Sequence, residues 1–186
     1  MPRAQASSLP LPPPGDSAGP YRVCLVCLGN ICRSPMAEVV LRAQLAQAGL
    51  AGKVAVDSAG TAAWHVGQPM SARARGALAR HGLDGEAHRA RQFDAAWLPD
   101  RDLVLAMDAS NLRALEAFVT TGDDSPPTRT GSPHSHRVRL FGDVAGLAGA
   151  DVPDPYGGNP VEFARVLDLL RGAMPRLVAQ LADVVG

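Results

Sequence analysis

A cysteine and an arginine six residues apart frame a segment in which several features of phosphate chemistry coincide. The segment reads Cys27-Leu28-Gly29-Asn30-Ile31-Cys32-Arg33-Ser34, and a helical pattern follows it. Backbone N–H groups of a short loop entering a helix converge on one point, where the helix dipole adds partial positive charge. Arg33 can bind two phosphate oxygens with its planar fork, and the same field favours the thiolate of Cys27. We therefore predict an anion-binding loop whose thiolate attacks the anion that it binds.

Residues within and after this loop suit the tight turn that such a site needs. Gly29 permits close approach of the backbone to an anion, and Asn30 tolerates a left-handed backbone conformation. Ser34 is a favoured N-cap and Pro35 a favoured first helical residue, so we expect a helix to begin there.

A thiolate that displaces an alcohol from phosphate needs a partner to protonate the departing oxygen. The candidates in loops or at strand ends are Asp108, Asp143, Asp151 and Asp154. Prolines on both sides of Asp154 stiffen its backbone, and the nearby Tyr156 is placed to wall a cleft. From spacing alone an aspartate in such a position is more often a turn residue, so the donor stays open at this point.

Two other kinds of site fit the sequence less well. A nucleotide-binding loop would end in Gly-Lys-Ser or Gly-Lys-Thr, which is absent here. A zinc site would need ligands beyond Cys24, Cys27 and Cys32, but no cysteine follows these three and the histidines show no ligand-pair spacing. We expect no metal and no cofactor.

Short apolar runs alternate with amphipathic helical patterns along the chain. The runs that predict strands are 21–26, 54–59, 102–107 and 138–140, and the patterns that predict helices are 34–48, 71–81, 108–119 and 160–181. This alternation is typical of an α/β fold, here one doubly wound domain with a four-stranded parallel sheet and helices on both faces. Ligands bind such sheets at the carboxyl ends of the strands, which is where the Cys27 loop lies.

Length and composition limit the remaining possibilities. The chain has 186 residues and a net charge of zero, which favours one domain of ordinary size and argues against nucleic acid as a partner. No apolar run is long enough to span a membrane, and three clustered cysteines suit a reducing, cytoplasmic setting. We expect residues 1–20, with six prolines, to form a disordered tail ahead of a domain at 21–186, and residues 120–136 to form a mobile loop.

Four motifs, in this order, resemble the low-molecular-weight protein tyrosine phosphatase family. They are Cys27-x5-Arg33-Ser34-Pro35, Asp57-Ser58-Ala59-Gly60-Thr61, Met107-Asp108-x-x-Asn111-Leu112 and Asp154-Pro155-Tyr156. The resemblance implies that Cys27 is the nucleophile, that Arg33 binds the transferred phosphoryl group and that Asp154 is the general acid. It leaves the tail and residues 120–136 outside the matched region.

The resemblance also implies roles for the surrounding residues. Asn30, Ser34, Ser58 and His81 would form a hydrogen-bonded network that fixes the loop, with Ser34 donating towards the thiolate. The residues expected to contact substrate are Leu28, Gly29, Asn30, Ile31, Cys32, Ser34, Trp64 and Tyr156. Ile31 resembles the phosphotyrosine-directed members, whereas members acting on phosphoarginine have Thr there. Gly157 departs from the family, which often has a second aromatic residue at that position.

Other readings of the family resemblance lead to different functions. Arsenate reductases resemble this loop but relay a disulfide through further cysteines downstream, and none follows Cys32. A phosphotyrosine-binding module without catalysis would keep the loop but lose the nucleophile or the acid, and both are present. We therefore expect a metal-independent, monomeric phosphatase that acts on phosphotyrosine proteins and has a tyrosine kinase as a further partner. We also expect Cys32 to trap oxidised Cys27 as a disulfide.

Overall fold

The structure is a computed structural model that describes residues 10–15, 19–121 and 135–186. Its centre is a sheet of four parallel strands in the order β2-β1-β3-β4. The strands are β1 (Tyr21–Cys27), β2 (Val54–Gly60), β3 (Leu103–Ala106) and β4 (Val138–Leu140). These are the four predicted strands, and the parallel α/β fold is confirmed.

Five α-helices cover the sheet in the described part of the chain. They are α1 (Arg33–Gln47), α2 (Ala72–Ala79), α3 (Ala109–Thr121), α4 (Phe141–Val144) and α5 (Pro160–Val185). Alternate residues of β1 face opposite sides: Leu25 belongs to the core that packs under α1 and α5, and Val26 to the core under α3. Helices therefore lie on both faces, as predicted, and the order of the strands places β1 in the interior with its carboxyl end beside those of β2 and β3.

The first helix begins differently from the prediction. Its N-cap is Cys32, without a side-chain cap, and Ser34 lies inside the helix. The Ser34 hydroxyl does not cap because it is turned towards Cys27 and Ala59 instead. The second helix does start with the expected serine, since the Ser71 hydroxyl accepts a hydrogen bond from the amide of Ala74.

Part of the predicted disordered tail is ordered. Leu11 is only 7% exposed, and the Tyr21 hydroxyl donates to the carbonyl of Pro12 at 2.9 Å. The amide of Gly15 donates to Asp102 at 2.7 Å. Within the segment expected to be a disordered tail, residues 10–15 therefore contact an apolar site and two polar partners on the domain. Residues 1–9 and 16–18 lie outside the described residues.

The predicted loop at 120–136 is only partly covered. Residues 120 and 121 end α3, and residues 135 and 136 lie in a short 3-10 helix that precedes β4. Residues 122–134 lie outside the described residues. In the part of the chain that is described, no helix combines the length and the apolar character needed to cross a membrane.

Candidate active site

The loop after β1 surrounds a pocket at the carboxyl edge of the sheet. β1 ends at Cys27 and α1 begins at Arg33, so the five residues between them make the whole turn. Asn30 adopts the left-handed conformation, with φ 54°, as its residue type allowed us to expect. The pocket has a volume of about 410 Å³, and its lining residues are Cys27, Leu28, Gly29, Ile31, Cys32, Arg33, Trp64, His65, Asp154 and Tyr156.

Cys27 lies at the floor of this pocket, 3% exposed, between two hydrogen-bond donors. The amide of Asn30 donates to its Sγ at 3.3 Å, and the Ser34 Oγ lies 3.0 Å from the same sulfur. A thiolate carries no proton, so with the sulfur ionised it is the Ser34 hydroxyl that donates. The hydroxyl has one proton, and the carbonyl of Ala59, 3.2 Å away, is its alternative acceptor. This arrangement can stabilise a thiolate and release the hydroxyl when the sulfur loses its charge.

Asn30 connects the loop to the elements behind it. Its Nδ2 donates to Ser34 Oγ and to Ser58 Oγ, both at 2.9 Å, and its Oδ1 accepts from the amide of Arg91 at 2.9 Å. Ser58 in turn donates to Glu38 Oε2 at 2.5 Å. With 0% exposure and every polar atom of its side chain bonded, Asn30 holds the loop in one shape.

His81, predicted to belong to this network, is not part of it. Its Nδ1 contacts Arg171 at 2.8 Å and its Nε2 lies 3.9 Å from Asp168, both on α5. His88 takes the expected place, donating from Nε2 to the carbonyl of Asn30 at 2.7 Å. The two histidines both follow α2, and the sequence holds no signal that tells which of them turns back towards the loop.

The charge state of His88 follows from its surroundings. Burial lowers the pKa of His88, and its hydrogen bond to Asn30 only partly offsets that effect. The imidazole is therefore neutral at neutral pH, with its proton on Nε2 because the carbonyl of Asn30 can only accept.

Two carboxylates bind the buried guanidinium of Arg33. Its Nη1 contacts Asp108 Oδ2 at 2.5 Å, and its Nη2 contacts Asp154 Oδ2 at 2.6 Å. Nη1 also donates to the carbonyl of Val152 at 3.2 Å. Since Arg33 is only 3% exposed, these partners fix the direction in which it faces the pocket.

Asp108 has two structural roles, of which the sequence predicted one. It caps α3, accepting from the amide of Asn111 at 2.7 Å and from the Ser110 hydroxyl at 2.6 Å. Burial raises the pKa of Asp108, but the hydrogen bonds from Ser110, Asn111 and Arg33 together bring it below its usual range. It is therefore a carboxylate at neutral pH, and its contact with Arg33 escaped the sequence because 75 residues separate the two.

Asp154 stands at the mouth of the pocket, opposite the loop. Its side chain is 42% exposed, and its second oxygen accepts from the amide of Tyr156 at 3.0 Å. A phosphate group entering the pocket would compete with Asp154 for the guanidinium of Arg33, which would free the carboxyl group to exchange a proton with the bound molecule.

The segment after β2 carries one wall of the pocket. The amides of Thr61 and Ala62 donate to the carbonyls of Cys27 and Leu28, both at 2.9 Å. The close approach of this segment to the loop requires Gly60, because a Cβ there would lie 2.6 Å from the Leu28 carbonyl oxygen. The same approach places the next residues of the segment, Trp64 and His65, in the wall of the pocket.

Trp64, His65 and Tyr156 form walls of the pocket, and the first and last of them are exposed. Trp64 is 72% and Tyr156 66% exposed, which excludes the alternative of core packing for Trp64. His65 was not predicted to line the pocket, yet its ring centre lies 6.1 Å from that of Tyr156. It also packs on Gly29, where a Cβ would approach the His65 ring to 2.9 Å.

Two residues expected to contact substrate do not line the pocket, and a third lines it with its sulfur hydrogen-bonded elsewhere. Asn30 and Ser34 are fully buried behind the loop and do not line the pocket, so their side chains can act only through other residues. Cys32 lines the pocket, but its Sγ donates to Ser71 Oγ at 3.5 Å. Burial raises the pKa of Cys32 to about 11, so its sulfur stays a thiol at neutral pH.

Comparisons with known proteins agree with this geometry. The sequence profile described as low molecular weight phosphotyrosine protein phosphatase matches residues 22–185. A low molecular weight protein-tyrosine-phosphatase of Streptomyces coelicolor is 42% identical over 165 residues, or 89% of this chain and 96% of that protein.

Solved structures show the same fold. A protein tyrosine phosphatase from Entamoeba histolytica aligns with a TM-score of 0.76 at 30% identity, covering 88% of this chain and 97% of that one. The YwlE arginine phosphatase aligns with a TM-score of 0.75 at 26% identity, covering 87% and 96%. The matched region spans the sheet, the loop after β1 and the segment around Asp154, and on these grounds the chain belongs to the low molecular weight phosphotyrosine protein phosphatase family.

Proposed function

We propose that the protein hydrolyses phosphotyrosine in proteins through a phosphocysteine at Cys27. The observation that carries this proposal is the meeting of three groups in one pocket: the Cys27 sulfur at its floor, the Arg33 guanidinium beside it and the Asp154 carboxyl group at its mouth. A nucleophile, a phosphate-binding cation and a proton donor are the groups that such a displacement needs.

In the first step the Cys27 thiolate attacks phosphorus and the bond to the tyrosine oxygen breaks. Loop amides and Arg33 bind the three non-bridging oxygens of the phosphoryl group being transferred, where they stabilise the charge of the transition state. Asp154, acting in its acid form, gives its proton to the departing tyrosine oxygen. The products are the tyrosine side chain of the substrate protein and a phosphorylated Cys27.

In the second step water attacks the phosphocysteine and the phosphorus–sulfur bond breaks. Asp154, now a carboxylate, takes the proton of the water, and inorganic phosphate leaves. Negative charge returns to the Cys27 sulfur during this step, and the Ser34 hydroxyl at 3.0 Å can donate to it as it forms. The network behind Asn30 keeps that hydroxyl in place through both steps.

The walls of the pocket support an aromatic substrate. Trp64 and Tyr156 both line the pocket with exposed rings, against which an aryl group attached to the bound phosphate would lie. Ile31 lines the pocket below them and offers an apolar surface to the ring. We further propose that the protein acts as a monomer in the cytoplasm and that a tyrosine kinase supplies its substrates.

Turnover of small substrates tests the proposal. Purified protein in EDTA is given p-nitrophenyl phosphate, phosphotyrosine and phosphoarginine, and release of inorganic phosphate is measured. We expect turnover of the two aryl esters and little of phosphoarginine. Binding without turnover would support the binding module instead, and turnover that requires added metal or favours phosphoarginine would reject the proposal.

A further inference from the structure

Most of the exposed large apolar side chains of the described residues line the active-site pocket, and the others lie within a few residues of its lining in the sequence. These exposed side chains are Leu28, Trp64, Val66, Tyr156 and Val161. Three of the five line the pocket itself. Val66 follows the lining residue His65, and Val161 lies in the first turn of α5, five residues after Tyr156. Large apolar side chains exposed beside a cleft are typical of a place where another chain binds. These five residues are called the rim below.

The segments that carry the rim also lack formal charge. Residues 28–32, 58–72 and 155–161 contain no Asp, Glu, Lys or Arg, although such residues make up 19% of the chain. At that frequency about five charges would be expected in these 27 residues. The charged groups that do line the pocket, Arg33 and Asp154, are already engaged with the phosphate chemistry.

The depth of the pocket determines which part of a substrate reaches the rim. Cys27 lies at the floor with 3% exposure, whereas Trp64 and Tyr156 stand at the mouth with 72% and 66%. A phosphotyrosine side chain with its phosphate at the floor therefore extends up to the mouth. The substrate backbone emerges at the level of the rim, and the residues next to the phosphotyrosine lie against it.

We propose that the rim binds apolar side chains that flank phosphotyrosine in the substrate protein. The proposal rests on the proposed function, because it places a peptide on either side of a bound phosphotyrosine. An apolar neighbour gains free energy by leaving water on the rim. An acidic neighbour finds no cation there, so its carboxylate would lose water without gaining a partner. The partner is thus a phosphotyrosine segment with large apolar neighbours and no acidic ones.

Three phosphotyrosine peptides of equal length test this preference. They differ only in the residues on both sides of the phosphotyrosine, which are Leu, Ser or Glu. We expect kcat/KM for the Leu peptide to exceed that for the Ser peptide about five- to tenfold, the effect of partly burying two large apolar side chains. The Glu peptide should do no better than the Ser peptide, and the order should be the same at low and high salt.

Rim variants then locate the preference. The double variant Val66→Ser with Val161→Ser should reduce the advantage of the Leu peptide at least about threefold while leaving turnover of p-nitrophenyl phosphate unchanged. Val185→Ser, at a partly buried position at the opposite end of the 26-residue helix α5, makes the same change away from the rim and should change neither.

Several outcomes would overturn the proposal. Equal kcat/KM for the Leu and Ser peptides, or a preference for Glu, would remove the rim as a docking surface while leaving the phosphatase function intact. A double variant that loses self-association in sedimentation, without any change in peptide preference, would assign the rim to a second copy of the chain. Failure of every peptide and of p-nitrophenyl phosphate would instead reject the proposed function.

Discussion

Two substitutions of Asn30 separate the contribution of its side-chain hydrogen bonds from that of its left-handed backbone conformation. Asn30→Gly keeps a residue that adopts φ 54° freely but removes the side chain, whereas Asn30→Ala removes the side chain and adds strain at that φ. The pair therefore measures the hydrogen bonds and the backbone conformation independently.

The expected loss of stability follows from the contacts. Asn30→Gly removes three buried hydrogen bonds, and at about 1 kcal/mol each the free energy of unfolding should fall by about 3 kcal/mol. Placing an L-residue in the left-handed region destabilises the folded state by about 1–2 kcal/mol. Ala also loses less conformational entropy on folding than Gly, which offsets about 0.4–1 kcal/mol of that strain. Asn30→Ala should therefore be about 0.5–1 kcal/mol less stable than Asn30→Gly.

Urea unfolding followed by circular dichroism checks these values. In thermal unfolding of a domain of this size, a loss of 3 kcal/mol in the free energy of unfolding corresponds to a fall in Tm of about 6–12 °C. Both variants should also lose most of their turnover, because the amide of residue 30 and the Ser34 hydroxyl no longer hold the Cys27 sulfur in place. An Asn30→Gly variant as stable as the wild type, or an Asn30→Ala variant more stable than Asn30→Gly, would refute the reasoning.

Three other variants test separate groups. Asp154→Asn should lower kcat/KM for phenyl phosphate about 10²- to 10⁴-fold but lower that for p-nitrophenyl phosphate much less, because the better leaving group needs less protonation, and equal losses of kcat/KM would reject Asp154 as the acid. The pKa of His88 is lowered on folding, so the unfolded chain binds more protons and wild-type stability should fall as pH drops below about 6.5. In urea unfolding, His88→Gln should show a smaller decrease of the free energy of unfolding over this pH range, and a pH profile identical to that of the wild type would contradict the role of His88. After inactivation by peroxide, the wild type should regain more activity in dithiothreitol than Cys32→Ser, and before reduction its intact mass should show the loss of two hydrogens expected for a Cys27–Cys32 disulfide. Equal recovery of the two proteins would show that Cys32 only packs beside the loop.

The sequence was sufficient for the four strands, the main helices and the parallel α/β class because these follow from local apolar periodicity and from the alternation of strands with helices. Each strand is a short buried run, and β1 ends at the cysteine that the loop motif contains. The left-handed Asn30 was also predictable, since few residue types tolerate that conformation.

Contacts between distant segments could not be predicted from the sequence. Arg33 meets Asp108 and Asp154 only because the ends of parallel strands converge, and side-chain direction decides which carboxylate it reaches. The choice between His81 and His88 depends on the path of the chain after α2, and neither position carries a distinguishing pattern. Ser34 looked like a helix cap because the residue type suits a cap, but the nearby sulfur attracts its hydroxyl.

Trapping the phosphocysteine tests the central claim most directly. With p-nitrophenyl phosphate, Asp154→Asn should still be phosphorylated but should hydrolyse the intermediate slowly, because the second step lacks its base. Acid quench and intact mass should then show a gain of about 80 Da, one phosphoryl group, which peptide mapping places on Cys27. Cys27→Ala should show neither the added mass nor turnover. A phosphoryl group on any other residue, or turnover that persists in Cys27→Ala, would contradict the account.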